Sequence, residues 1–138
     1  MNSHIPNGIS RQGLDASFAA EETRKSNLLL QATLLREQGR EEAVTRFAEA
    51  AEIEEQLSRA CLERGLKEKF LVHRFSAASC WAQAGNFYQA ITICEQLLAE
   101  TDLTERLRHR VSSYVNTLRA RRNQWFAEAV AAQNAAEV

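Results

Sequence analysis

The sequence predicts an all-α protein made of antiparallel helical hairpins and closed by a C-terminal capping helix. Only one Pro and five Gly occur in 138 residues, while residues that lose little conformational freedom in a helix are abundant. Apolar residues recur at intervals of three, four or seven along most of the chain, which is the period of one helix face. No stretch alternates apolar and polar residues as a half-buried strand does.

Three glycines divide the first two thirds of the chain into helices. The predicted helices run from about Asp15 to Gly39, from about Arg40 to Arg64 and from about Leu66 to Ala84. Gly39, Gly65 and Gly85 stand where these helices end, and glycine commonly ends a helix because it adopts the left-handed conformation at little steric cost. Short connections between long amphipathic helices make neighbouring helices antiparallel.

Two capping patterns predict where the last two helices begin. Asn86 is followed by Gln89 at the third helical position, an arrangement typical of a capping box. We therefore expect the fourth helix to begin at Asn86. Asp102 and Glu105 repeat the pattern, so we expect a fifth helix from about Leu103.

Size and charge define the domain and limit its partners. The length suits one domain, predicted over residues 15–130, with a disordered tail at 1–14 and a frayed tail at 131–138. Seventeen Lys+Arg against 18 Asp+Glu give a formal net charge of −1. No overall field therefore draws the protein toward nucleic acid or anionic lipid.

The sequence carries no pattern of secretion, membrane insertion or catalysis. Cys61, Cys80 and Cys94 are odd in number and not closely paired, which argues against a disulfide framework or a zinc knuckle. No uncharged run approaches the roughly 20 residues that span a bilayer, and no apolar signal segment is present. Phosphate loops and nucleophile elbows are also absent. We predict a cytoplasmic, non-enzymatic protein without cofactor, metal or membrane contact.

His73 and Cys80 share a predicted helix face, which raises the question of a thiol and its base. They are two helical turns apart, which is about 10 Å along the axis and too far for direct proton transfer. We therefore interpret Cys80 as a buried structural residue.

The second hairpin carries an ordered set of small and aromatic residues. In chain order they are Ala77, Ala78, Trp81, Gly85, Phe87 and Ala90. This order resembles a tetratricopeptide repeat, in which small residues let two helix backbones approach and aromatic side chains fill the seam beside them. The resemblance implies a right-handed array of hairpins.

The first hairpin matches the repeat in part. Ala43, Phe47 and Ala50 resemble the small, aromatic, small positions of the repeat's second helix, although Gly39 lies one residue too near Ala43. Ala43 and Ala90 are 47 residues apart, longer than the repeat unit of about 34 residues. Long-helix relatives such as the kinesin light chain and the SNAP-type vesicle adaptors are therefore the better comparison.

The resemblance implies that the first helix of each hairpin lines a concave, ligand-binding face. The implied positions are Lys25, Leu28, Ala32 and Arg36, then Val72, Phe75, Ser79 and Gln83. The carboxylate-clamp members of the family have Lys, Asn and Arg at such positions, so clamp-type chaperone binding is not expected. An apolar face instead favours a partner helix or peptide, or a second copy of the chain. Repeat arrays generally need about three units for stability, so we also expect a homodimer.

The arginine-rich fifth helix leaves a second hypothesis open. Arg119, Arg121 and Arg122 are the candidate contacts for nucleic acid. We favour the interpretation that the arginine stems cover apolar surface while their charges are solvated or paired with the acidic second helix. The sequence therefore predicts a protein–protein interaction module, an adaptor or scaffold, with a nucleic-acid-binding helical protein as the alternative.

Overall fold

The structure, a computed structural model, describes residues 15–137, and this part of the chain forms five helices. They are α1 (Ala16–Glu37), α2 (Glu42–Glu63), α3 (Lys67–Gln83), α4 (Phe87–Leu98) and α5 (Glu105–Ala136). Each helix packs on the next one in the sequence. The all-α class is confirmed, with no strand between residues 15 and 137. The predicted tail at 1–14 lies outside the described residues.

Glycine ends the first three helices in the same way. The backbone φ angles are +70° at Gly39, +73° at Gly65 and +85° at Gly85. After α3 the amide of Asn86 donates to the Trp81 carbonyl at 2.9 Å, and the Gly85 amide donates to Ala82 at 3.0 Å. This pair of bonds defines a Schellman motif, which satisfies carbonyls at the helix end. The three predicted helix ends are confirmed.

Side-chain pairs show that both hairpins are antiparallel. The pairs are Arg36 with Phe47 and Lys25 with Glu54 between α1 and α2, and Arg74 with Gln96 and Lys67 with Glu100 between α3 and α4. In each hairpin, as the residue number increases along the first helix, the number of its contact partner in the second helix decreases. The short glycine turns therefore fold each pair of helices back on itself, as the sequence predicted.

The two hairpins share one continuous core. Phe70 and Trp81 pack against the buried cluster of the first hairpin and also against that of the second. Ala78 and Ala90 have no exposed surface, so α3 and α4 approach closely at these positions. The indole Nε1 of Trp81 donates to Glu55 Oε2 at 2.6 Å. Trp81 therefore joins the hairpins both by packing and by a charge-assisted hydrogen bond.

Side-chain caps differ at the last two helix starts. Asn86 Oδ1 accepts from the backbone amide of Gln89 at 3.1 Å, so Asn86 caps α4 as predicted. The expected Asp102 cap of α5 is wrong, because Thr104 Oγ1 accepts from the Leu107 amide at 3.2 Å instead. The chain first buries Leu103 in the core, and Thr104 then adopts the extended conformation that a capping residue needs.

The helix α5 continues well past the helical body. Every residue from 120 to 137 is exposed, and the helix still extends to Ala136. Residues 131–136 belong to this helix, Val138 lies outside the described residues, and the fraying of 131–138 stays a prediction. The alanine-rich sequence of the segment suits a helix, because alanine has the highest helix propensity.

Candidate partner-binding face

The helices α1, α3 and α5 lie side by side on one surface. The contacts that align them are Phe18 with His73 and Arg36 with Gln83 between α1 and α3, and Phe75 with Tyr114 between α3 and α5. We call this surface the α1/α3/α5 face and define it by Glu22, Val72, Phe75, Leu107, Arg110 and Tyr114. The first helix of each hairpin and the last helix thus share one surface.

Val72 occupies the centre of this face. Its side chain is 50% exposed although α3 has neighbours on both sides. A pocket of about 490 Å³ lies on the α1 side of Val72, and a pocket of about 570 Å³ lies on the α5 side. A single exposed valine is ordinary on a protein surface. Here it lies between two depressions, of which the one on the α5 side is also lined by Leu71 and Leu107, whereas the other residues of the one on the α1 side are charged or polar.

An aromatic pair and an arginine extend the face along α3 and α5. The rings of Phe75 and Tyr114 meet edge to face with centroids 5.6 Å apart. The guanidinium carbon of Arg110 lies 5.5 Å from the Phe75 ring centroid, within the range of a cation–π contact. These three residues line a further pocket of about 330 Å³. Burial raises the pKa of Tyr114 against the opposing effect of its hydrogen bond with Ser79, so the phenol is protonated at neutral pH.

The two sides of the face differ in charge. The charged residues that line the pocket on the α5 side are three cations and two acids, namely Lys67, Arg106, Arg110, Glu68 and Asp102. The pocket on the α1 side is lined by the acids Glu22 and Glu68 and by Lys69. A partner with an acidic group near its apolar anchor therefore fits best with that group directed toward α5.

A polar cluster lies beneath the α1 side of the face. Glu54 is 2% exposed, and its Oε1 lies 2.8 Å from His73 Nδ1 while its Oε2 lies 3.6 Å from Lys25 Nζ. The other ring nitrogen of His73 lies 3.9 Å from Glu22 Oε2. Because Glu54 belongs to α2, these contacts fix α1 and α3 to the helix behind them. The cluster holds the α1 side of the face in place.

The α1 residues implied by the family resemblance are only partly on this surface. Leu28 is 7% exposed and Ala32 is fully buried, so the prediction that these two contact a partner is wrong. Their stripe of α1 packs into the core shared with α2. Lys25 pairs with Glu54 at the base of the face. Arg36 is exposed and stacks on Phe47 across the first hairpin.

Of the four α3 residues that the family resemblance implies, two lie on the α1/α3/α5 face. Val72 and Phe75 belong to the face itself. Ser79 is half-buried and hydrogen-bonds to Tyr114. Gln83 is exposed, and its Oε1 accepts from Arg36 Nη1 at 2.8 Å. The structure thus brings Val72 and Phe75 together and places Gln83 at the far end, where it joins α1 to α3.

Sequence reasoning missed the contribution of α5 to the face. Leu107, Arg110 and Tyr114 follow one another at intervals of three and four, the spacing of a single helix face. The sequence therefore carries this signal. The sequence prediction gives α5 the role of a capping helix, whereas in the structure α5 lies beside α3 and forms part of the face.

The arginines of α5 have separate environments. Arg119 Nη2 lies 2.7 Å from Glu95 Oε2 on α4, so the predicted pairing with the acidic second helix is wrong for this residue. Arg108 donates to the carbonyls of Leu98 and Glu100 at 2.8 and 2.9 Å, where it satisfies the C-terminal end of α4. Arg119 and Arg122 are about 60° apart around the helix and share a side, whereas Arg121 lies about 160° from Arg119 and about 100° from Arg122. They do not form one continuous stripe.

All three cysteines are buried, and Cys80 has the packing role that was expected. Burial raises the pKa of Cys80 to about 12 and that of Cys94 to about 11. Both thiols are therefore protonated at neutral pH, the inert state for nucleophilic attack. Within residues 15–137 no three His, Cys, Asp or Glu side chains are grouped so that they could hold a metal ion.

Comparisons of the chain with protein families, with curated proteins and with solved structures found no match. Among the helices of residues 15–137, none has both the length and the apolar character that crossing a membrane requires.

Proposed function

We propose that this protein is a non-enzymatic interaction module, an adaptor of tetratricopeptide-like design, that holds a partner helix or peptide on the α1/α3/α5 face. The observation that carries the proposal is the half-exposed Val72 between two pockets of about 490 and 570 Å³. The pocket on the α5 side is the better site for a large apolar side chain, because Leu71, Val72 and Leu107 line it.

Support for the repeat-like design comes from the second hairpin. Gly85 makes the left-handed turn that the motif requires, and Ala78 and Ala90 are the fully buried small residues of the helix pair. Trp81 and Phe87 pack beside them as partly buried aromatics. These contacts support the proposal that the ligand-binding geometry implied by the resemblance extends to this chain.

The chemistry of the face indicates the kind of partner. Val72, Leu107 and the Phe75 ring offer apolar contacts along α3 and α5. An amphipathic helix presents apolar anchors at intervals of three, four and seven, which suits such a linear surface. Arg106 and Arg110 favour an acidic residue beside the anchors. We therefore propose an amphipathic partner segment with apolar anchors and an acidic flank.

A matched pair of variants tests the proposal. Val72 on α3 is 50% exposed and Val44 on α2 is 51% exposed. Proteins captured from a native lysate by wild type, Val72→Asp and Val44→Asp are compared by quantitative mass spectrometry. We expect a specific partner that Val72→Asp loses and Val44→Asp retains. Titration calorimetry with a peptide from that partner then measures the loss directly. Equal capture by both variants contradicts the proposed face.

A further inference from the structure

The exposed half of α5 carries large apolar side chains that no other helix of residues 15–137 covers. Trp125 is 65% exposed, Phe126 is 63% exposed and Val130 is 41% exposed. The surrounding residues from 120 to 137 are exposed as well. At 1.5 Å per residue this segment extends about 27 Å. An isolated helix of this length is marginally stable in water, so a contact that covers one side stabilises it.

The side of α5 that is buried in the body continues into this segment, where Arg122 comes first and apolar residues follow it. In the first half of the helix the buried stripe consists of Val111, Val115 and Leu118. On the same side, at intervals of three, four or seven, follow Trp125, Ala129, Ala132 and Ala136. We call these four residues the α5 seam. The surface that packs against α4 in the body thus has an uncovered extension.

The seam is complementary to itself in size when two copies are antiparallel. Trp125 stands near one end and the small residues Ala132 and Ala136 stand near the other. With two seams facing each other in opposite directions, each Trp125 fits between Ala132 and Ala136 of the other copy. This is a knob entering a hole formed by small side chains. The alanines also let the two backbones approach closely.

The same arrangement is complementary in charge. When Trp125 is centred between Ala132 and Ala136 of the second copy, Arg122 falls opposite Glu137 of that copy. In both pairings the mean of the two residue numbers falls between Ala129 and Val130, so both place the two-fold axis at the same point of the helix. The size of the side chains and their charges therefore select the same register. Because the contact is two-fold symmetric, each pairing occurs twice.

We propose that residues 120–137 form an antiparallel, two-fold helix pair with the same segment of a second copy of this chain. This inference is independent of the proposed partner-binding face, because the α5 seam shares no residue with that face. The pair leaves Val72 and its two pockets uncovered. A dimer built this way presents two partner-binding faces.

A lipid surface is the competing occupant of an exposed amphipathic helix. Residues 120–137 contain two Arg and two Glu, so the segment has no excess of positive charge. Membrane-surface helices combine a strongly basic polar face with several large apolar residues on the other face. Here Phe126 and Val130 lie about 100° and 140° from Trp125 around the helix, so the three do not share one insertion face. The observations therefore favour a second copy.

The association state of the full-length chain tests the proposal. In light scattering coupled to size exclusion, and in analytical ultracentrifugation, wild type is expected to have twice the mass of one chain. Ala132→Glu places a carboxylate in the seam and is expected to shift the mass to that of one chain. Asn134→Glu adds the same charge on the opposite side of the helix and is expected to remain dimeric. Circular dichroism checks that both variants retain their helix content.

A charge exchange tests the register. Arg122→Glu is expected to weaken the dimer by about tenfold, since both symmetric ion pairs become repulsive. The double variant Arg122→Glu with Glu137→Arg is expected to recover most of that loss. If it does not, the antiparallel register is overturned.

Other outcomes overturn the dimer itself. A wild-type mass of one chain at all concentrations up to about 100 μM contradicts it, as does an Ala132→Glu variant that dimerises as well as Asn134→Glu. If wild type is monomeric and co-sediments with phosphatidylcholine–phosphatidylserine vesicles, a lipid surface and not a second copy covers this segment. Val72→Asp is expected to leave the dimer unchanged, which separates this test from that of the proposed function.

Discussion

Glu54 on α2 and His73 on α3 are in direct contact, with 2.8 Å between Oε1 and Nδ1, while Lys25 on α1 approaches the same carboxylate to 3.6 Å. One buried acid thus connects three helices. Its side chain is 3% exposed, so water cannot replace either partner without structural change. The stability of the first hairpin and the position of α3 both depend on this carboxylate.

Glu54→Ala is expected to destabilise the protein by about 3 kcal/mol, because Lys25 and His73 lose their common partner in a poorly hydrated site. Glu54→Gln keeps an acceptor for His73 and is expected to lose less. The free energy of unfolding from urea titration measures both. Glu52→Ala, at an exposed position of the same helix, is the control and is expected to change little. A Glu54→Ala variant as stable as this control contradicts the structural role.

Trp81→Phe removes the donor that bonds Glu55 Oε2 at 2.6 Å but keeps most of the ring packing. We expect a loss of about 1–3 kcal/mol in the free energy of unfolding, the range for hydrogen bonds to charged groups. Tyr88→Phe likewise removes a donor from an aromatic side chain, at an 80% exposed position, and is expected to leave the stability nearly unchanged. Urea titration followed by far-UV circular dichroism compares the two variants. Equal stability of both variants is the contrary result.

Gly85→Ala is expected to destabilise the protein by about 1–2 kcal/mol, because φ is +85° at this position and a Cβ disfavours the left-handed region. No heavy atom lies within 4 Å of the added Cβ, so the cost arises from the backbone alone. Gly85→Asn is expected to cost less, since asparagine tolerates this conformation better. Thermal unfolding of the two variants gives the order. The reverse order contradicts this explanation.

The buried Cys80 thiol gives a dependence of stability on high pH. Burial raises its pKa from 9.0 to about 12, so the unfolded state ionises first as the pH rises. The stabilisation from the neutral thiol is fully present below pH 9 and is lost progressively as the pH rises toward 12. Urea midpoints of wild type and Cys80→Ala at pH 8 and pH 10.5 measure this contribution. We expect wild type to lose more stability than the variant over this interval, and equal losses contradict the assignment.

Local signals in the sequence predicted much of the fold. The turn at Gly85 and the cap at Asn86 depend on conformational preferences of single residues, which a sequence carries directly. The cap of α5 was mispredicted because its position depends on Leu103, whose burial is a tertiary contact. Local preference alone cannot decide between Asp102 and Thr104.

The candidate site was less accessible to sequence reasoning. Spacing along α1 showed that Leu28 and Ala32 share a side, but only the packing of α2 determines that this side is buried. Glu54 lies four residues after Ala50 and three before Leu57, so spacing places it on the buried side of α2, but spacing does not identify Lys25 and His73 as its partners. Val72 and Phe75 were found because the family resemblance supplied the tertiary geometry that spacing lacks. Tyr114 required knowledge that α5 lies beside α3.

The sharing of Phe70 and Trp81 between two core clusters bears on cooperativity. In an array of independent repeats, each unit has its own stability and can open alone. Here neither hairpin can open without exposing aromatic surface that belongs equally to the other. We therefore expect α1 to α4 to open as one cooperative unit, so that amide protons of α2 and α4 exchange through the same opening.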